Sequence, residues 1–174
     1  RHGGDALGVT ELVHSVAAGA LVASSTTERG IGGDARRSTC AIEPDDAGRI
    51  RLRKEAPVIS YATEADAILV TARRDPDAPA SDQRLVICLP AETTLTQTST
   101  WDTLGLRGTC SNGWTLDAET HADRVLRDDY AAISARTVLP VSHVLWASVW
   151  LGIAADAADR ARRAVRGQAR AAVG

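Results

Sequence analysis

The hydrophobic pattern at the start of the chain is helical and gives way to a Gly-rich turn. Between Thr10 and Ser25, apolar positions recur at the i, i+3, i+4 spacing of a helix, with Thr10 as its N-cap. The later part of this segment, 20–27, is equally compatible with a strand of small residues. At 29–34 Gly and Asp dominate, so a regular element cannot continue there.

A strand-like pattern occupies 40–126, where short apolar or alternating runs are separated by turn residues. This pattern predicts an antiparallel sheet or barrel. Turn residues at 45–48 precede alternation around Ile50 and Leu52, as in a hairpin. The predicted strands are 49–54, 57–61, 67–72, 84–89, 113–117 and 124–126.

A second helical pattern begins beyond Thr137 and continues to about Arg170, with Pro140 near its N-terminus. At 1.5 Å per residue this helix is ~45 Å long. Its first half is apolar and is expected to be deeply buried, while its second half is amphipathic. The chain offers few other helices to cover that apolar face. We therefore expect either a homo-oligomer or a larger protein of which this chain is a part.

Composition and charge exclude several classes of protein. The 174 residues carry a net charge of -2, which argues against nucleic acid or an anionic membrane surface as the main partner. The apolar windows are expected to be interrupted too often to span a membrane, and no membrane insertion is predicted. The N-terminal residues do not resemble a signal peptide.

The cysteines predict neither a disulfide framework nor a metal site. Cys40, Cys88 and Cys110 are odd in number and have no nearby Cys or His partner at ligand spacing. Reduced structural thiols in a cytoplasmic protein are the expectation.

The stretch most indicative of chemistry is 24–34, with the sequence S-S-T-T-E-R-G-I-G-G-D. Two threonine hydroxyls, a carboxylate and three glycines expose backbone N–H groups and small side chains, which can cradle a flat ligand or an anion. An ordinary surface turn is the alternative. Neither a dinucleotide fingerprint nor a P-loop is present, because the glycine spacing differs from both.

Four motifs, taken in order, resemble landmarks of the acyl-CoA dehydrogenase family of flavoproteins. Residues 27–34 are similar to the family's T-E-x-x-x-G-S-D segment, and 104–109 match (L/M)-G-x-R-G-(S/T). Residues 151–161 match L-G-I-A-x-x-A-x-x-R-A, at the opening of a long helix of the family's C-terminal domain. The remaining motif, G-x-K-x-(aromatic)-I-(S/T)-x-x-x-x-A-D-x-x-x-V-x-A, is matched at Lys54, Val58, Ile59, Ser60, Ala65, Asp66, Val70 and Ala72.

The resemblance implies an FAD site on this chain. It implies that the Thr27 hydroxyl lies near the pyrimidine side of the isoalloxazine, and that Ser60 with Ile59 lies near its reactive central nitrogen. A donor there would stabilise negative charge on the reduced flavin. Gly33 would also contact the thioester substrate. The full set of implied cofactor-binding residues is Ser25, Thr26, Thr27, Gly32, Gly33, Val58, Ile59 and Ser60.

Several positions depart from the family pattern. Val58 replaces an aromatic residue that shields one flavin face, Gly33 replaces a serine, and Arg29 replaces a common proline. The family's catalytic carboxylate is expected beyond Gly174, so no catalytic residue is assigned on this chain.

The fold implied is α+β, with an antiparallel β-barrel or sandwich-like middle domain flanked by helices. The implied domains are 1–39, which includes the flavin-contacting loop, the β domain 40–130, and 131–174, which begins a helical bundle. The implied reaction is α,β-dehydrogenation of an acyl-CoA thioester in fatty acid metabolism, with an electron-transfer flavoprotein as acceptor. Two alternatives stay open: a flavin-dependent monooxygenase of the same fold, and a non-catalytic assembly module.

Overall fold

The computed structural model describes residues 7–171, and contacts divide the chain into two compact units. The boundary lies between Ala132 and Ile133. We call the part before it the β unit and the part after it the helical unit. The ends of the predicted outer domains, 1–6 and 172–174, lie outside the described residues. The predicted three-domain division stays a prediction.

The β unit begins with one helix and continues with seven strands. Short 3-10 helices follow β5, precede β7 and follow β7. The elements are α1 (Leu7–Ala17), β1 (Val22–Ser25), β2 (Glu43–Pro44), β3 (Arg49–Ala56), β4 (Ala67–Arg73), β5 (Gln83–Cys88), β6 (Thr93–Ser99) and β7 (Gly113–His121).

The strands form two sheets. The larger is antiparallel, with the order β2-β3-β7-β6. In the smaller, with the order β1-β4-β5, β4 and β5 are antiparallel whereas β1 is parallel to β4, with Val22 opposite Ala67. The predicted α+β class is confirmed. The strands that the structure describes form no closed barrel, and the parallel β1–β4 pair was not predicted.

Side-chain alternation explains how the larger sheet is buried. Along β3 every second residue is buried: Ile50, Leu52, Lys54 and Ala56 point inward and the intervening charged residues outward. In β4 and β5, by contrast, nearly every residue is buried, as expected for strands covered on both faces. The core joins residues of both sheets, among them Ile50, Leu52, Val70, Ala72, Val86, Cys88 and Leu116.

The first predicted helix is shorter than the pattern suggested. It begins at Leu7, so Thr10 lies inside the helix and is not its N-cap. The helix ends at Ala17, and Gly19 follows with a φ of 104°, a left-handed conformation that glycine adopts without steric cost. The later part, 20–27, contains β1, so the strand alternative was the right one for it.

Two predicted strands are not strands in the structure, and the strand β6 was not predicted. Residues 57–61 form a loop. Of 124–126, Arg124 ends a 3-10 helix (Ala122–Arg124), and Val125 makes only an isolated bridge to Val86. The strand β6, T-T-L-T-Q-T-S, was not predicted because Leu95 is its only apolar residue. It is largely exposed and is held at the sheet edge by backbone pairing with β7.

The helical unit agrees with the predicted long helix in position. A helical turn, α2 (Tyr130–Ile133), begins at the end of the β unit, a π-helical segment spans Ser134–Val138, and α3 runs over Leu139–Ala171. The predicted deep burial of its first half is not found within the described chain. Val144 is 65% exposed and Leu151 is 72% exposed.

The apolar half of this helix is long enough to contradict the prediction that no segment could span a membrane. Between Arg136 and Asp156 there is no Asp, Glu, Lys or Arg. By length and composition the helical stretch Tyr130–Gln168 therefore could cross a membrane, with a mean hydropathy of 1.6 over its most apolar window. The expectation that every apolar window is interrupted was wrong. Length and composition carry little weight alone, because core helices of soluble proteins pass the same test.

Candidate functional site

The loop after β1 is tied to the end of β3. The Arg29 N–H donates to the Glu55 carbonyl at 2.8 Å, and the Thr27 hydroxyl donates to the Val58 carbonyl at 3.1 Å. These two bonds join the first predicted motif to the second, about thirty positions further along the chain. The Thr27 side chain is therefore held beside the loop that contains Ser60.

That second loop is in turn tied to the segment before β7. The Ile59 N–H donates to the Asn112 carbonyl at 3.0 Å, and the Tyr61 N–H donates to the Thr109 carbonyl at 2.9 Å. Gly113 permits close approach here, because a Cβ there would lie 3.1 Å from the Pro57 carbonyl oxygen and closer still to the hydroxyls of Thr98 and Ser99. Three segments that are distant in sequence thus meet at one place.

A chain of three hydroxyl groups lies where the second and third segments meet. Ser60 Oγ lies 2.8 Å from Ser111 Oγ, and Ser111 Oγ lies 2.6 Å from Thr109 Oγ1. Thr109 Oγ1 also donates to the Leu106 carbonyl at 2.8 Å. Ser111 is 4% exposed, whereas Ser60 and Thr109 are half-buried. Ser60, the residue predicted to contact the cofactor, is thus one end of this series of three hydroxyl groups.

The predicted cofactor-binding residues fall into separate groups by accessibility. Ser25 and Ile59 are fully buried, and the Ser25 hydroxyl has no hydrogen-bond partner in the described part of the chain. Thr26, Thr27, Val58 and Ser60 are half-buried. Direct contact with a ligand is open to this second group, whereas the side chains of Ser25 and Ile59 are not accessible.

Gly32 and Gly33 lie in an exposed turn, and no hydrogen bond given by the structure joins them to Thr27 or Ser60. Their φ angles are 60° and 83°, and a Cβ on either would meet nothing within 4 Å. The backbone conformation, and not a lack of space, therefore favours glycine. This explains the family departure at Gly33, since a serine there would be strained. The predicted substrate contact of Gly33 stays a prediction.

A buried ion pair, which sequence reasoning did not assign to the site, lies under the same loop. Lys54 Nζ lies 3.5 Å from Glu28 Oε2, and both side chains are almost completely buried. Lys54 also donates to the Thr71 carbonyl at 2.6 Å and to its hydroxyl at 2.9 Å. Because Thr71 belongs to β4 and Lys54 to β3, the lysine links the two sheets to the loop after β1.

The Glu28 carboxylate is extensively hydrogen-bonded. It accepts from the Ser38 hydroxyl at 2.7 Å, from the Cys40 N–H at 2.7 Å, and from the Thr39 N–H and hydroxyl. Burial alone raises the pKa of Glu28, but these bonds and the positive charge of Lys54 outweigh it, so the pKa lies below its ordinary value of 4.5. Burial lowers the pKa of Lys54, and the charge of Glu28 offsets part of that shift. Lys54 and the T-E motif were the sequence signals that could have predicted this pair.

The thiols differ in accessibility. Burial raises the pKa of the Cys40 and Cys88 thiols to about 12, so both are protonated and unreactive near neutral pH. Cys110 is exposed, and all three thiols are free.

Among residues 7–171, no group of three or more His, Cys, Asp or Glu side chains could hold a metal ion.

The accessible surface fits a flavin edge in part. Thr27 and Ser60 supply half-buried hydroxyl groups, which suit the polar edge of an isoalloxazine. Val58 offers no aromatic ring to cover a flavin face. The residues of this chain could therefore hold one polar edge of the ring system and not its whole surface.

Comparison with solved structures identifies the fold. A probable acyl-CoA dehydrogenase from Mycobacterium abscessus is similar over 74% of this chain, with 18% identity and a TM-score of 0.59. Butyryl-CoA dehydrogenase from Megasphaera elsdenii is similar over 69%, with 23% identity and a TM-score of 0.56. For an acyl-CoA dehydrogenase from Geobacillus kaustophilus the values are 62%, 21% and 0.54.

These likenesses show an acyl-CoA dehydrogenase-like fold, as the motifs implied. The chain spans only a part of each similar structure: 34% of the M. abscessus chain, 32% of the M. elsdenii chain and 29% of the G. kaustophilus chain. No protein-family model and no curated protein matches the sequence. The fold is thus established, while the activity has to be argued from the site.

Proposed function

We propose that this chain belongs to an FAD-dependent oxidoreductase that dehydrogenates an acyl-CoA thioester between its α and β carbons. In this reaction a base removes the α-proton, a hydride leaves the β-carbon, and a C=C bond forms. FAD, when bound, supplies the hydride acceptor. The proposed final electron acceptor is an electron-transfer flavoprotein. The fold similarity supports the class of protein, and the residues at the site support the cofactor.

One observation carries the proposal. Thr27 and Ser60, both half-buried, come from segments that are far apart in sequence, and the Thr27 hydroxyl is bonded to Val58, two residues before Ser60. The Thr27–Val58 bond and the contacts of 59–61 with 109–112 hold this surface together. A polar edge held by several independent backbone bonds is preorganised, which is what electrostatic stabilisation of a reduced cofactor requires.

The residues of this chain would bind and orient the cofactor. Thr27 and Ser60 would hydrogen-bond to the ring edge, and the half-buried Thr26 and Val58 would line the surface beside them. Ser25 and Ile59 would support that surface from beneath. No residue of this chain is assigned as the catalytic base.

The test is the visible absorbance spectrum of the protein mixed with FAD, followed by anaerobic addition of a mixture of acyl-CoA thioesters. A bound flavin spectrum that bleaches supports a working dehydrogenase and requires a base within the protein tested. A bound spectrum that does not bleach contradicts turnover by this chain. Formation of a product only with NAD(P)H and oxygen would support the monooxygenase instead.

The non-catalytic assembly module makes a different prediction in the same experiment. A chain that keeps its fold by circular dichroism but leaves the FAD spectrum and fluorescence unchanged would overturn the flavoprotein proposal. The exposed apolar half of α3 favours association in either case, because a contiguous apolar helix face requires a partner. We propose that this partner is a second copy of the chain, so that the protein is a homo-oligomer. Location in the cytoplasm stays a prediction.

A further inference from the structure

The three hydroxyl groups of Ser60, Ser111 and Thr109 form a chain in which the direction of each hydrogen bond depends on the next. A serine or threonine hydroxyl carries a single proton and can accept at its oxygen. The two contacts, 2.8 Å and 2.6 Å, allow either oxygen to be the donor. The geometry alone thus permits two opposite orders of donation along the chain.

The inner end of the chain favours one of these orders. The Thr109 hydroxyl donates to the Leu106 carbonyl at 2.8 Å, which uses its only proton. Ser111 must then donate to Thr109, and Ser60 must donate to Ser111. In this order the Ser60 proton points inward, so the accessible side of Ser60 Oγ can only accept a hydrogen bond.

The reverse order is also accessible, because the Leu106 carbonyl has other donors. It accepts from the Trp101 indole N–H at 2.9 Å and from the Thr109 backbone N–H at 3.2 Å. When the Thr109 hydroxyl turns away from it, that carbonyl keeps both bonds and is not left unsatisfied. Ser60 then donates outward. The change needs only rotation of the three hydroxyl groups, and no covalent O–H bond breaks.

We propose that Ser111 and Thr109 are positioning residues that set whether Ser60 accepts or donates a hydrogen bond at the flavin edge. This inference rests on the proposed function. With the inward order Ser60 would offer an acceptor to an N–H of a reduced flavin, and with the reverse order it would offer a donor to an unprotonated nitrogen of the oxidised flavin. Because the inward order makes one more hydrogen bond, from the Thr109 hydroxyl to the Leu106 carbonyl, the three hydroxyl groups would stabilise the reduced state over the oxidised state.

The test compares flavin binding and the flavin reduction potential in the full-length chain reconstituted with FAD. Ser111→Ala removes the middle hydroxyl and frees Ser60 to donate outward. We expect the preference for reduced over oxidised FAD to fall by about tenfold, which for a two-electron couple is about 30 mV toward more negative potential. Thr109→Val should shift the potential in the same direction, because it removes the link to the Leu106 carbonyl.

Two further variants separate positioning from a general structural effect. Ser111→Thr keeps the hydroxyl and should restore the wild-type potential. Thr103→Val is the matched control, since the Thr103 hydroxyl donates to the Gly105 carbonyl at 2.7 Å in the same segment but outside the chain of hydroxyls. It should leave the potential unchanged.

The outcomes distinguish this inference from the proposed function. If wild-type protein does not bind FAD, the proposed function fails and this inference fails with it. If FAD binds and Ser111→Ala and Thr109→Val both keep the wild-type potential, the inference alone is overturned. Thr109 is half-buried, so its variant provides a second test if Ser111→Ala does not fold.

Discussion

Replacement of Lys54 by Met should strongly destabilise the β unit. Methionine keeps most of the side-chain volume but removes the ammonium group that lies 3.5 Å from Glu28 Oε2. It also leaves the Thr71 carbonyl and hydroxyl without the donor they have at 2.6 Å and 2.9 Å. Removal of one member of a buried ion pair typically costs about 3–5 kcal/mol. The bonds that Glu28 keeps with Ser38, Thr39 and Cys40 place the expected cost toward the lower end of that range.

The assay is urea unfolding followed by tryptophan fluorescence, which reports on the β unit through Trp114, a residue buried in its native core. Arg53→Met is the matched control, because Arg53 precedes Lys54 on the same strand and pairs with Asp117 at the exposed face. Exposed pairs of this kind contribute less than about 1 kcal/mol. The double variant Lys54→Met with Glu28→Gln should cost less than the sum of the single variants, since the two groups interact directly.

Acid titration gives an independent check with a defined sign. The pKa of Glu28 is below 4.5 in the folded protein, so between the two values the unfolded chain binds more protons and stability rises with pH. This stabilisation is present above about pH 4.5 and is lost as pH falls through the folded pKa. Lys54→Met raises that folded pKa, so acid unfolding should begin at higher pH. Equal unfolding free energies and equal acid transitions for Lys54→Met and Arg53→Met would refute the reasoning.

Further predictions concern the site, the helix and the thiols. Ser60→Val should weaken FAD retention by about tenfold through loss of a hydrogen bond to the cofactor, and unchanged affinity in a fluorescence titration would contradict the placement of Ser60. Leu151→Asp should reduce the sedimentation coefficient if the apolar face of α3 joins copies of the chain; a wild-type protein that sediments as a monomer and floats with lipid vesicles would instead support membrane insertion. In a thiol-reagent titration near pH 8, Cys110 should react at once, whereas Cys40 and Cys88 should react only on unfolding.

Sequence periodicity predicted the elements in which burial and local pattern agree. The alternation of β3 and the long helical period of α3 are each expressed by nearest neighbours along the chain. The pattern failed for β6, because its polar residues are held at a sheet edge by backbone hydrogen bonds to β7, which do not depend on side-chain type. It also predicted a strand at 57–61, where bonds to 109–112 hold a loop instead.

Motif order in the sequence by itself determined the family resemblance and the residues proposed to contact FAD, since short motifs preserve residue type and spacing. Only the tertiary structure decided which residues share a surface. It placed Ser60 against Ser111 and Thr27 against Val58, and it buried Lys54 against Glu28. The physical reason is that these contacts join residues far apart in the chain, and their geometry follows from the packing of two sheets around one core.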